Sequence, residues 1–97
     1  MIIETAYITV TPGRETDFLA ALEEGKKVLA QAAGFQHVHV SRGIERSNVI
    51  LLQLAWNTLE NHTIDFRGGE LFGRWRAIIA PFFAEGTAPS VEHWQPV

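Results

Sequence analysis

The chain has no cysteine. That removes disulfides, thiolate nucleophiles, iron–sulfur clusters and Cys-ligated zinc from consideration. It also fits a reducing compartment, so the cytoplasm is the expected location. Charge is sparse: eight Lys and Arg stand against eleven Asp and Glu, for a net charge of -3, and no block of one sign occurs. Nucleic acid is therefore not an expected partner, because neutralising phosphates needs a basic stripe. No apolar run is long enough to span a membrane. Met1 to Thr5 lacks the basic and apolar regions of a signal peptide. Repeats, linkers and low-complexity segments are absent. So are Gly-x-Gly-x-x-Gly, a Walker loop and a Gly-x-Ser-x-Gly elbow, and no nucleotide cofactor is expected.

What the chain does have is enough apolar material for a core: 46% of its 97 residues are hydrophobic. This predicts one domain over 1–97, near the small end of what stands alone. Ile2 to Val10 is rich in β-branched residues and reads as a strand. Thr11-Pro12 reads as a helix start, a hydroxyl cap followed by proline at the first position. Phe18, Leu22, Leu29 and Ala32 then fall at helical spacing, and Gly34 is the expected left-handed stop. Phe35 to Ser41 and Asn48 to Trp56 read as strands around a turn at Arg42 to Arg46. Thr58 can cap the next helix, with Glu60 in its first turn. Gly68-Gly69 breaks that helix. Another covers roughly Leu71 to Ala80 until Pro81, and Ser90 to Gln95 is a last strand.

The order β-α-β-β-α-β predicts an α+β, ferredoxin-like fold: a four-stranded antiparallel sheet with both helical segments on one face. Val49-Ile50-Leu51-Leu52-Gln53-Leu54-Ala55 is apolar on both faces, so it needs cover on both sides. The helices suffice for one. Exposing the other costs roughly 1.5–3 kcal/mol per large side chain. A homodimer packed sheet to sheet is therefore expected.

The stretch from Trp56 to Arg76 gathers the residues able to line a small apolar pocket holding a few ionisable groups. His62 lies three after Leu59 and four before Phe66, on or beside the inward stripe, where it can exchange a proton near neutral pH. A structural histidine bonded to a backbone carbonyl fits the spacing equally well. Asn61, next to it, faces away by the same spacing. Arg76 borders the stripe of the following helix and can hold a carboxylate or an oxyanion. It can equally snorkel to the surface or pair with Glu70 or Glu85. Arg67 and Arg74 read as solvated. Trp56, Phe66, Phe72 and Trp75 can wall a pocket for a flat ligand, or simply be core. Phe82 and Phe83 are the residues that could fill such a pocket from within. The indoles of Trp56 and Trp94 need hydrogen-bond acceptors if buried. His37 and His39 share a face. With His93 they could bring three imidazoles together across a dimer, but no carboxylate accompanies them, and no metal site is expected.

These pieces, taken in order, resemble the antibiotic biosynthesis monooxygenase (ABM) domain family over nearly the whole chain. The matching anchors are Thr11-Pro12-Gly13, the apolar strand ending in Trp56, Thr58-Leu59-Glu60-Asn61-His62, Phe66, Leu71-Phe72, Trp75 and Val91-Glu92-His93-Trp94. The resemblance implies a dimeric α+β barrel with a pocket between helices and sheet. It also implies one of several activities: cofactor-independent oxidation of polycyclic phenols, quinol oxidation or haem degradation. The positions that serve the haem-degrading branch hold Ala6, Phe66 and Arg76 here and offer no axial ligand, so haem is not expected. In the phenol-oxidising scheme His62 is the base or hydrogen-bond partner, Arg76 stabilises the oxyanion, and Trp56, Phe66 and Trp75 hold the ring. A ligand-binding dimer without catalysis, and an isomerase or cyclase using the same pocket, are the alternatives.

Overall fold

The computed structural model describes residues 1–97. Strands β1 (Ile2–Thr9), β2 (Phe35–Arg42), β3 (Val49–Trp56) and β4 (Ser90–Trp94) form one sheet in the order β2-β3-β1-β4. Every pairing is antiparallel. Helices α1 (Glu15–Leu29) and α2 (Glu70–Ile79) connect them. A π-helix (Asn61–Phe66) precedes α2, and a short 3-10 turn (Ala80–Phe82) follows it. This is the ferredoxin-like arrangement read from the element order.

Alternation divides each strand between two faces. The inner face carries Ala6, Ile8 and Val10 beside Ile50, Leu52, Leu54 and Trp56, all buried. Against them α1 sets Phe18, Leu22, Val28 and Leu29, while α2 sets Trp75 and Ile79. The helices meet closely where Gly25 faces Trp75: a Cβ at Gly25 would lie 2.6 Å from the indole. On the outer face, Tyr7 is 41% and Trp94 51% exposed, with Leu51 and Val49 only half-buried beside them. No helix covers that side. Trp94 Nε1 donates to Thr5 Oγ1 at 2.8 Å, which pins the indole across the neighbouring strand.

The first helix is shorter at both ends than its sequence signals suggest. Pro12 and Gly13 form a turn instead of a helical start, with Gly13 at φ 91°. The turn closes when Arg14 N–H donates to Thr11 O at 2.9 Å. Glu15 caps it by accepting from Gly13 N–H at 2.6 Å, while the Thr11 hydroxyl donates to Phe83 O. At the other end the chain tightens into i→i−3 bonds, Gln31 to Val28 and Ala32 to Leu29, before it reaches Gly34. Gly34 does adopt the left-handed conformation, at φ 77°. It is fixed by a second demand as well, because any Cβ there would collide with the Asn61 side chain.

Strand β2 carries a bulge between Phe35 and His37. Without it those two residues would share a face. With it, Phe35 turns inward against the Trp56 ring, at a centroid distance of 5.5 Å, while His37 and His39 face out. His93 pairs in register with Glu4 and so belongs to the inner face. The possible meeting of His37, His39 and His93 on one face does not occur, because the sheet lies between them.

Thr58 caps the segment after β3 as expected. Asn61 N–H donates to Thr58 Oγ1 and Thr58 N–H to Asn61 Oδ1, both at 3.1 Å, a reciprocal capping box. The winding beyond it was not foreseen. The helical turn that starts at Leu59 opens into the π-helix, with Arg67 N–H bonded to His62 O at 3.1 Å. Asn61 also donates to Asp65 Oδ2, so its polar atoms serve the backbone and its own helix. The wider turn keeps His62 and Phe66 buried but leaves Leu59, expected beside them, 41% exposed. Gly68-Gly69 then ends the segment and α2 begins at Glu70.

Candidate functional site

Between the helices and the inner face of the sheet lies a cavity of about 380 Å³. Its wall is mostly apolar, and its ionisable members are Glu4, His62, Arg67 and Arg76. Phe66, Phe72, Trp75 and Phe83 supply its aromatic surfaces. A volume of this size suits a small ligand of one or a few rings.

Strand β1 brings Glu4 into the cavity by parity alone, since it shares the inner face with Ala6 and Ile8. A carboxylate there is expensive unless it is partnered. The partner is Trp56, whose Nε1–H donates to Glu4 Oε1 at 3.0 Å. Trp56 is fully buried and is not part of the cavity wall. It lies one layer behind, stacked on the His62 imidazole with centroids 5.4 Å apart. Of the residues singled out from the sequence, His62, Phe66, Phe72, Trp75 and Arg76 reach the wall, and Trp56 supports two groups that do.

His62 is 3% exposed, and both of its ring nitrogens are engaged. Nε2 lies 3.3 Å from Glu4 Oε1, and Nδ1 lies 2.8 Å from His93 Nε2. The structural-histidine reading, with a backbone carbonyl as partner, does not describe it. Burial lowers its pKa to about 4, with the Arg67 charge and His93 acting in the same direction. At neutral pH the ring is therefore uncharged, and its contact with Glu4 is no ion pair. Burial raises the Glu4 pKa, opposed by the Trp56 N–H and by Arg67. His93 is lowered, first by burial and then by Arg67.

Arg67 is exposed, as expected, but it also borders the cavity, where its field acts on all three of these groups. Arg76 places its guanidinium 5.8 Å above the Phe83 ring and forms no ion pair with Glu70 or Glu85. It is exposed, and its charge remains available to an anion at the cavity mouth. Arg74 stays outside. Phe83 forms wall, while Phe82 packs edge-on against Phe18 beneath Arg14, so the two do not plug the space.

Sequence reasoning missed Glu4, and it named His93 only as a possible third imidazole beside His37 and His39, not as the partner of His62. The signal for Glu4 was a lone carboxylate at an inward position of a β-branched strand. His93 gave no comparable signal, because its side depends on the register of β4. Together with His62 they make a Glu–His–His line on one side of an aromatic cavity, with two arginines nearby. Such a line can hold or pass a proton, and the arginines can hold a developing anion. No group of three or more His, Cys, Asp or Glu residues has the geometry of a metal site.

Comparison with known proteins agrees with this architecture. The family model for antibiotic biosynthesis monooxygenases matches residues 1–78. The uncharacterised Bacillus subtilis (strain 168) protein YczJ is 31% identical over the full length of both chains. A crystal structure from Bordetella bronchiseptica, assigned as an antibiotic biosynthesis monooxygenase, is 38% identical with a TM-score of 0.93. The match covers 99% of this chain and 96% of that one. A Streptomyces coelicolor monooxygenase solved with nanaomycin D shares the fold, with a TM-score of 0.81 at 10% identity. There the match covers 99% of this chain and 87% of that one. No helix here is long and apolar enough to cross a membrane. With strand order, cavity and family match in agreement, this chain belongs to the antibiotic biosynthesis monooxygenase family.

Proposed function

We propose that the protein is a monooxygenase that oxidises a small hydroxylated aromatic or quinol with dioxygen and no bound cofactor. One observation carries the reading: a buried pair, the uncharged His62 imidazole and the Glu4 carboxyl, on the wall of an aromatic cavity flanked by Arg67 and Arg76. The pair accepts the substrate's hydroxyl proton, and the arginines favour the anion left behind. The electron-rich anion then reduces dioxygen. For a ring CH₂ the balance is CH₂ + O₂ → C=O + H₂O. The substrate gives up all four electrons, one oxygen atom enters the ring, and the other leaves as water. Phe66, Phe72 and Trp75 hold the ring, and Trp56 backs the pair. The Streptomyces monooxygenase bound to nanaomycin D supports a small organic ligand in this fold.

The same reading takes residues 1–97 as one such domain, working in the cytoplasm as a homodimer. The outer face of the sheet, with Tyr7, Leu51 and Trp94 uncovered by any helix, supports an isologous sheet-to-sheet contact. A second reading, a ligand-binding dimer without turnover, is favoured by the engagement of both His62 nitrogens.

Dioxygen uptake by metal-stripped protein with quinols, anthrones and naphthols separates the two. The expected result is saturable uptake that falls about 100-fold or more in His62→Ala and about tenfold or more in Arg76→Ala. Binding of the same compounds with no uptake above the uncatalysed rate would overturn the monooxygenase reading.

A further inference from the structure

The position of His62 poses a problem for any base that must meet a substrate directly. Its two nitrogens are taken, one by His93 and one by Glu4, and its ring is sandwiched against Trp56. Glu4 is placed differently. Its Oε1 accepts from Trp56, but Oε2 makes no hydrogen bond. No fully buried side-chain oxygen or nitrogen in the protein lacks a partner, so Oε2 is not sealed off. Glu4 lines the cavity, and that is where an unsealed inner-face oxygen opens. At the far end His93 is exposed, and its Nδ1 likewise has no protein partner. The order is therefore cavity, Glu4, His62, His93, solvent.

We propose that Glu4, His62 and His93 form a proton-exchange chain, in which the Glu4 carboxyl trades its proton with solvent through paired tautomer changes of the two imidazoles. With Glu4 ionised, His62 presents Nε2–H to the carboxylate and His93 presents Nε2–H to His62 Nδ1. A proton arriving at His93 Nδ1 moves the His93 Nε2 proton to His62 Nδ1 and the His62 Nε2 proton to Glu4. Each step breaks one N–H bond and forms one new N–H or O–H bond. The end state has a neutral carboxylic acid and both histidines in the Nδ1–H form. The reverse passage unloads the proton.

Neither end state contains an imidazolium, which suits rings whose protonation is disfavoured by burial and by Arg67. The 3.3 Å step from His62 to Glu4 is long for a hydrogen bond, and a small rotation of the carboxyl closes it. The charged groups facing Glu4 are few. The π-helix brings His62, the residue after it is Arg67, β4 brings His93, and α2 adds Arg76 on the same wall; β3 contributes only the Trp56 N–H.

This chain rests on the proposed oxidation only for its use. There, Glu4 Oε2 takes the substrate's hydroxyl proton, the O–H bond breaks, and the electron pair stays on the substrate oxygen. Glu4 is then the group that touches substrate, and His62 and His93 set its ionisation. That transfer leaves both rings in the Nε2–H form, with the His62 nitrogen that faces Glu4 already protonated, so the proton leaves Glu4 through the cavity when product departs, and the imidazoles serve the resting carboxyl before substrate binds.

Nitrogen-15 spectra of histidine-labelled, ligand-free protein test the chain from about pH 4 to about pH 9, a window that runs from the ordinary carboxyl range to well above it. The expected result is that His62 and His93 exchange pyrrole-type and pyridine-type signals between Nδ1 and Nε2 with one shared midpoint. In Glu4→Gln both rings should keep one tautomer throughout. The proposal is overturned if the wild-type rings hold their tautomers across the window or switch at separate midpoints. It is equally overturned if His62 becomes imidazolium without a tautomer change. The wild-type titration decides the matter even if Glu4→Gln folds poorly. Neither substrate nor dioxygen enters the experiment, so its failure is distinct from a failure of oxygen uptake.

Discussion

Acidification should weaken the fold through His62, by an amount the site's geometry sets. The folded pKa of about 4 lies below the ordinary value of 6.5. Between the two, the unfolded chain binds a proton that the folded chain refuses. Stability therefore falls as pH drops below 6.5, and the loss levels off near 4, where the folded imidazole also titrates. From about pH 7 to about pH 5 a single group shifted this far costs about 2 kcal/mol, or roughly 10 °C in Tm for a domain of this size. Glu4 acts in the opposite direction: its raised pKa makes the folded state bind protons more readily, so acid restores part of the loss. Wild type alone reports the net. The informative quantity is the difference between the wild-type slope and that of His62→Gln, from urea unfolding at fixed protein concentration at both pH values. The variant should be less stable at neutral pH and lose about 2 kcal/mol less on acidification. An equal loss in both proteins would mean that His62 titrates normally and is not buried in this environment.

Gly25→Ala adds a methyl 2.6 Å from Trp75 Cζ3. The helix propensity gained, about 1 kcal/mol, should be outweighed by overpacking of about 1–3 kcal/mol, with Trp75 displaced toward the cavity. Urea unfolding and indole fluorescence would show it, and a more stable variant would refute the close packing of α1 on α2. On the outer sheet face, Leu51→Arg should convert a wild-type dimer to monomer in sedimentation equilibrium. A wild type that stays monomeric at high concentration would refute the proposed sheet-to-sheet contact.

The sequence made the sheet legible because β3 left little choice. Its run from Val49 to Ala55 has no polar face, and Trp56 and Thr58 mark its end and the next cap. Gly68-Gly69 marked the break before α2 just as plainly. The aromatic wall was legible for the same reason, since Phe66, Phe72 and Trp75 follow helical spacing. The polar half of the site was not, because it depends on quantities that no single segment encodes. Glu4 meets His93 through the β1–β4 register. His37 is parted from Phe35 by a bulge whose position depends on the pairing of β2 with β3. Leu59 leaves the stripe because the helix winds more widely than propensity would suggest. Pro12 misled for a local reason: glycine at 13 made a turn cheaper than an immediate helix.

The π-helix from Asn61 to Phe66 makes the site sensitive to the number of residues as well as to their identity. In an α-helix each residue advances the side-chain direction by about 100°. Removing one residue between Thr58 and Gly68 would let the segment tighten to ordinary winding and swing its side chains round by about that angle. Every side chain that makes the cavity could be retained, yet the imidazole would no longer lie between the carboxyl of β1 and the ring of β4. Relatives that differ by a single gap in this segment would then present different chemistry from nearly the same residues. For this site, the spacing of an alignment across the segment carries as much functional information as its identities.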